Sequence, residues 1–161
     1  KQVVSFDPNC ASPFLDELLR LLDEMDDKTA VIYLESQAFA EVTTARLNKA
    51  GVTAFEYSGK TRKTRDADLA KFGTDYRVAV VVLSAGGTGL DGIQSVTSDE
   101  IWLERSVDET VNIQGESRAD RIGGKGQVQR HIFHDSEKYS LGRMSAQLLR
   151  RLELAKSLRK A

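Results

Sequence analysis

Cysteine is nearly missing from this sequence. Cys10 is the only one in 161 residues. No internal disulfide can form, and with His131 and His134 as the only histidines no Cys/His zinc cluster can be assembled. An intracellular setting is expected. No apolar run approaches the ~18 residues that mark a membrane span, and no secretory signal pattern opens the chain; no membrane partner is expected. Neither sign of charge prevails, the formal net charge being -1. That balance does not point to nucleic acid, nor does it exclude one, because a local patch can do the binding. There is no sequence repeat and no low-complexity tract. The first residue is Lys1 rather than methionine, which suggests a piece cut from a longer protein.

What is present is ordinary for a globular domain: 40% hydrophobic and 29% charged residues. The length suits one domain, 1–161, with a core of its own. Its expected parts are a leading helical segment over 1–27, a core over 28–135 and a basic C-terminal helix over 136–161. Charge is unevenly spread. Residues 1–28 hold seven acids and three bases, whereas residues 137–161 hold seven bases and two acids.

Ser12-Pro13 is a good helix start, a hydroxyl to cap and a proline for the first helical position. Phe14, Leu15, Leu18, Leu19, Leu22 and Met25 follow at helical spacing. Thr29 to Leu34 is an almost continuous apolar run, as in a strand buried on both faces. A helix from about Gln37 to Ala50 ends at Gly51, and a strand is expected over Thr53 to Tyr57. Ser58-Gly59 then leads into a charged helix reaching to about Phe72. Arg77 to Leu83 is the most strand-like run in the chain. A glycine-rich loop from Ser84 to Gly89 follows, then a short strand over Glu100 to Leu103 with Trp102 in the core. Ser106 and Glu109 form a capping box opening the next helix. Gln127 to Phe133 is a last strand, and from about Ser136 to Arg159 the pattern is helical. Strands alternating with helices predict a parallel sheet covered on both faces, with ligands at the carboxyl ends of the strands.

Three stretches carry chemistry. Gln114 to Gly123 places Arg118 and Arg121 three residues apart on a helical segment, so both guanidiniums leave one face. Two forked, permanently charged cations suit a polyphosphate, although the same spacing also suits a solvated helix face. Ser84-Ala-Gly-Gly-Thr-Gly-Leu-Asp91 can bring backbone amides close to a phosphate chain through Gly86, Gly87 and Gly89, or can simply turn. Gly59-Lys60-Thr61 has the ending of a phosphate-binding P-loop. The glycine that motif needs five residues earlier is Ala54, and the bulky residues between read as strand. Either way, Thr61 is expected at a helix start, where amides favour anions. His131 and His134-Asp135 have no nearby Ser or Cys nucleophile that suggests a triad.

Together these stretches resemble motifs of the Swi/Snf-type ATPases within the superfamily 2 helicases. Gln114, Arg118, Arg121, Ile122 and Gly123 match a motif Gln-x-x-x-Arg-x-x-Arg-Ile-Gly-Gln, with Gly124 in place of the second glutamine. Gly59, Thr61, Arg65 and Phe72 match Gly-x-Thr-x-x-x-Arg-x-x-x-x-x-x-Phe. Residues 85–91 are similar to Ala-Gly-Gly-x-Gly-Leu-Asn, with Asp91 replacing the asparagine. The order of the motifs along residues 28–133 carries the resemblance.

The resemblance implies a fold and a role. The fold is α/β, a three-layer parallel sheet flanked by helices, the RecA-like second lobe (helicase C-terminal domain) of a P-loop NTPase motor. The role is that of a DNA helicase or translocase lobe closing over ATP and Mg2+ held by an N-terminal RecA-like lobe of the same parent chain. Arg118 and Arg121 would be arginine fingers. Gln114, Gly89 and Asp91 would bind or couple ATP. Gly59, Thr61, Arg65, Ser84, Gly86 and Gly87 would contact DNA, expected to be duplex and read without regard to sequence. No P-loop and no strand-borne Asp-Glu-x-His is present, so the fragment alone should not hydrolyse ATP. Three alternatives stay open: a restriction- or repair-type superfamily 2 helicase lobe, a non-catalytic nucleic-acid-binding domain with this fold, and a small-molecule kinase using Lys60. The basic tail, with Arg143, Arg150, Arg151, Lys156, Arg159 and Lys160, would serve DNA or form a solvated helix face.

Overall fold

Local rules set the first elements. Ser12 is extended and its hydroxyl accepts from the Leu15 amide at 3.4 Å, while Pro13 takes the first position of α1 (Pro13–Glu24). Leu15, Leu18 and Leu22 fall on one face of that helix and are buried, as is Met25 at its C-cap. Ser36 caps α2 (Gln37–Lys49) in the same way, accepting from the Phe39 amide. Gly51, at φ +84°, takes the left-handed turn that ends it. The computed structural model describes residues 9, 11–86, 90–106, 108–119, 124 and 126–133. The helix expected over 136–159 and His134-Asp135 lie outside the described residues.

The remaining elements are β1 (Ala30–Leu34), β2 (Ala54–Tyr57), α3 (Arg65–Leu69), β3 (Val78–Val82), the short helical turn α4 (Leu83–Gly86), β4 (Asp99–Trp102), α5 (Glu109–Ala119) and β5 (Gln129–Ile132). A 3-10 turn over Ile93–Ser95 lies between α4 and β4. The strands form one sheet in the order β2-β3-β1-β4-β5, every pair parallel. In register, Ile32 sits between Val80 and Ile101.

Both faces of the sheet are covered, which is why β1 and β3 are apolar throughout. Ala30, Ile32, Leu34, Val78, Val80 and Val82 pack with Leu18 of α1 and Leu47 of α2. Val31, Tyr33, Ala79, Val81 and Trp102 face the other way, onto Leu83, Leu90, Ile93 and Val111. Asn48 finishes the α2 side: its amide accepts from the Ala54 N–H at 3.0 Å and donates to the Ala54 carbonyl at 2.9 Å, standing in for a neighbouring strand at the sheet edge.

Three local expectations are corrected. The charged helix after Gly59 spans only Arg65–Leu69, because residues 60–64 form turns and Thr64, not Thr61, precedes the helix. The Thr61 hydroxyl accepts from the Ser58 N–H at 3.0 Å and donates to the Glu56 carbonyl at 2.8 Å, which holds the chain in a turn. Ser84 to Gly86 is helical rather than loop, continuing straight from β3. The capping box does not form, because the cap falls two residues later, where the Val111 side chain has no acceptor to return a bond. Asp108 accepts from the Thr110 amide at 3.0 Å, whereas the Ser106 N–H bonds the Asn112 side chain at 2.8 Å.

Candidate functional site

A parallel sheet brings all its carboxyl ends to one rim. The Gly59 segment leaves β2 at that rim, and the Ser84 segment leaves the adjacent β3 there, Tyr57 pairing with Val81 one step inside. Two of the three sequence motifs therefore stand side by side. The third reaches the same region through α5, which packs against α4. Arg118, 9% exposed, donates from Nη1 to the Leu90 carbonyl at 3.3 Å, immediately after the glycine-rich stretch. Arg118, Gln114, Gly115 and Val111 line a cavity of about 10 Å³ with Tyr33, Val81, Leu83 and Leu90. That is room for about one water. A nucleotide does not fit inside it, so any phosphate would have to meet this wall from outside.

The predicted residues differ in what they present. Gln114, Gly59, Ser84 and Asp91 are exposed. Gly86 ends the α4 turn. Gly87, Gly89 and Arg121 lie outside the described residues, as do Ile122 and Gly123. Arg65 is engaged locally. Its guanidinium stacks over the Tyr57 ring, 4.7 Å from the centroid, and Nη1 donates to the Ser58 carbonyl at 3.3 Å. Burial pushes the Tyr57 hydroxyl above its ordinary pKa. Thr61 spends its hydroxyl on the turn described above.

Lys60 is held in an ion pair with Glu41 of α2, with 66% of its side chain exposed. The pair holds the Glu41 carboxyl below its ordinary pKa and lifts the Lys60 ammonium above its own. Ala54–Tyr57 is a strand paired with β3, so its backbone is not free to wrap a phosphate. The residues present do not make a P-loop. Among the described residues no group of three or more His, Cys, Asp or Glu side chains is placed to hold a metal ion.

Sequence reasoning missed the polar framework under α5. Glu100 of β4 is fully buried, and its Oε2 accepts from Arg130 Nε at 2.6 Å and from Trp102 Nε1 at 3.2 Å. Its Oε1 has no hydrogen-bond partner among the described residues. Burial raises the Glu100 pKa, while the Arg130 and Trp102 hydrogen bonds oppose that rise. Arg130 also faces Glu116 of α5 at 3.8 Å, and Glu116 pairs with Arg105 at 2.8 Å. Arg105 stacks over Trp102, 5.2 Å from the ring centroid. Glu104 accepts from the amides of Glu35 and Ser36 at 3.0 and 2.8 Å, joining the rim ends of β4 and β1. No sequence period marks these pairs, because their members lie on different elements.

No protein-family profile matches the chain. Its backbone is similar to solved helicase domains. The C-terminal part of the Fun30 ATPase domain superposes with a TM-score of 0.66 at 20% identity, over 78% of this chain and 42% of that one. The Pyrococcus furiosus Hef helicase domain gives 0.61 at 16% identity, over 86% of this chain and 29% of that one. The C-terminal domain of the DEAD-box protein Dbp5 gives 0.62 at 21% identity, over 83% and 76%. The chain thus spans less than half of the first two. Likeness at these identities is a likeness of fold, and the fold is the RecA-like α/β architecture seen in helicase C-terminal domains.

Proposed function

We propose that this chain is the second motor lobe of an ATP-dependent DNA helicase or translocase of the Swi/Snf type. The observation that supports it most is the bond from Arg118 to the Leu90 carbonyl, since it joins the arginine motif to the glycine-rich motif across 28 residues of chain. In this reading ATP and Mg2+ are gripped by a first RecA-like lobe. The contribution of this chain is positive charge and a surface for DNA.

Arg118 and Arg121 face the γ-phosphate when the lobes close, and charge placed there can raise turnover by ~10³–10⁵. The Arg118 guanidinium stays charged while it is held against the Leu90 carbonyl, so it brings a fixed positive charge to this wall of the site. Gln114, Gly89 and Asp91 couple closure to the nucleotide. The Gly59 and Ser84 segments, side by side at the rim, follow the DNA backbone through Gly59, Ser84, Gly86 and Gly87, while Thr61 and Arg65 hold the turn that presents Gly59. Such contacts ignore sequence and weaken with salt.

The test is DNA-stimulated ATPase in the chain joined to its first lobe. Arg121→Ala and Arg118→Ala should each abolish it while nucleotide binding by the first lobe persists. Normal turnover in Arg121→Ala would remove the assignment. A second reading, a superfamily 2 helicase lobe outside the Swi/Snf group, draws on the comparable Hef and Dbp5 superpositions. A strand-separation assay divides the two, because a duplex translocase moves along DNA without releasing a single strand.

A further inference from the structure

Lys60, Arg62 and Lys63 are three exposed cations within the turn that connects β2 to α3. Thr61 is tied to Ser58 and Glu56, and Arg65 to Tyr57 and Ser58, so these two fix the shape of the turn. The charges between them are left pointing outward. Glu41 of α2 pairs with Lys60, and Glu56 of β2 lies close enough to add to the same field. Arg62 and Lys63 form no ion pair with a described residue. The ridge stands at the carboxyl rim, beside the exposed Ser84.

We infer that Lys60, Arg62 and Lys63 form the phosphate-gripping ridge of this segment, and that Glu41 is its guard, holding Lys60 until a nucleic-acid backbone displaces it. Thr61 and Arg65 then act as positioning residues that shape the turn. The inference rests on the proposed function for its ligand, a DNA phosphate backbone. A duplex presents one charge per ~3.4 Å of axis along each strand, so a turn of this size spans a few phosphates. Displacing a carboxylate by a phosphate exchanges one charge-assisted hydrogen bond for another. The guard therefore tunes affinity without closing the site.

The experiment measures binding of a labelled duplex of random sequence to the 161-residue chain, by fluorescence anisotropy, between about 50 and 200 mM salt. Lys60→Gln/Arg62→Gln/Lys63→Gln should weaken binding at least tenfold at the low-salt end and flatten the salt dependence by about two to three charges. Glu41→Gln should tighten binding by about two- to fivefold, the range an exposed pair of this kind can withhold. All four side chains are on the surface, so unchanged thermal midpoints should accompany these effects. Binding by the triple variant equal to that of the unsubstituted chain overturns the ridge. No change in Glu41→Gln overturns the guard. An acidic peptide that competes at the same concentration as DNA shows a general anion surface and also overturns the assignment. Failure of the unsubstituted chain to bind DNA at low salt removes both the ridge and the DNA half of the proposed function. An ATPase that survives Arg121→Ala, with the ridge effects intact, removes only the motor reading.

Discussion

Glu100 is a carboxylic acid on a strand whose every position is buried. It is fully buried, its partners are Arg130 and Trp102, and burial raises its pKa above the ordinary 4.5. A raised carboxyl pKa means that the folded chain holds a proton at pH values where the unfolded chain has released it. Stability from this group is full below the unfolded pKa and is lost as pH rises through the folded value. Glu100→Gln should therefore flatten the stability profile just above pH ~4.5, read by urea denaturation at a series of pH values. Arg130→Gln strands a buried carboxylate and should lower stability at pH 7 by about 3 kcal/mol, since Arg130 is only partly exposed. The deficit should be smaller at pH 5 than at pH 7, because a raised carboxyl pKa makes protonation, which removes the stranded charge, easier as pH falls. An equal deficit at both values would mean that Glu100 does not change its protonation between them.

Helix α5 owes its position to one missing side chain. A Cβ on Gly115 would lie 2.7 Å from Trp102 Cη2 and 3.3 Å from Cζ2. The ring cannot swing away, because Trp102 is fully buried with Tyr33 at a centroid distance of 4.6 Å. Gly115→Ala would gain up to ~1 kcal/mol of helix propensity, but overpacking a filled core loses ~1–3 kcal/mol. The net expectation is a loss of about 1 kcal/mol or more, measured as a lower thermal midpoint, with α5 amides exchanging faster than those of β1. A midpoint that rises would show that the helix is free to move off the sheet. The close approach has a use in the proposed motor: it keeps Gln114 and Arg118 on a fixed helix. The Glu116 pairs with Arg105 and Arg130 add lateral ties at the surface.

At the scale of the molecule, the described residues make a five-stranded parallel sheet covered on both faces. No described helix is long and apolar enough to cross a membrane. A second motor lobe, as proposed, supplies no P-loop. On that proposal the chain alone should bind ATP poorly and hydrolyse none, and DNA-stimulated turnover should appear when a first lobe is supplied. Tight ATP binding by this chain alone would instead favour a kinase built on Lys60. DNA binding that no nucleotide modulates in the two-lobe protein would favour a binding domain that kept the fold.

The order and type of the elements were legible in the sequence for a physical reason. A strand buried on both faces can hold only apolar residues, so Ala30–Leu34 and Val78–Val82 announce themselves. Caps such as Ser12 and Ser36 depend on the next three residues alone and need no tertiary information. The motifs were readable because each lies within one stretch of chain. What they do in space was decided by the fold: Thr61 and Arg65 turned inward to shape their turn, and Arg118 met the Leu90 carbonyl. The Glu100–Arg130 pair closed between strands 30 residues apart. Such pairings depend on which strand lies beside which. That order follows from burying both faces of the whole sheet at once, a property no single segment carries.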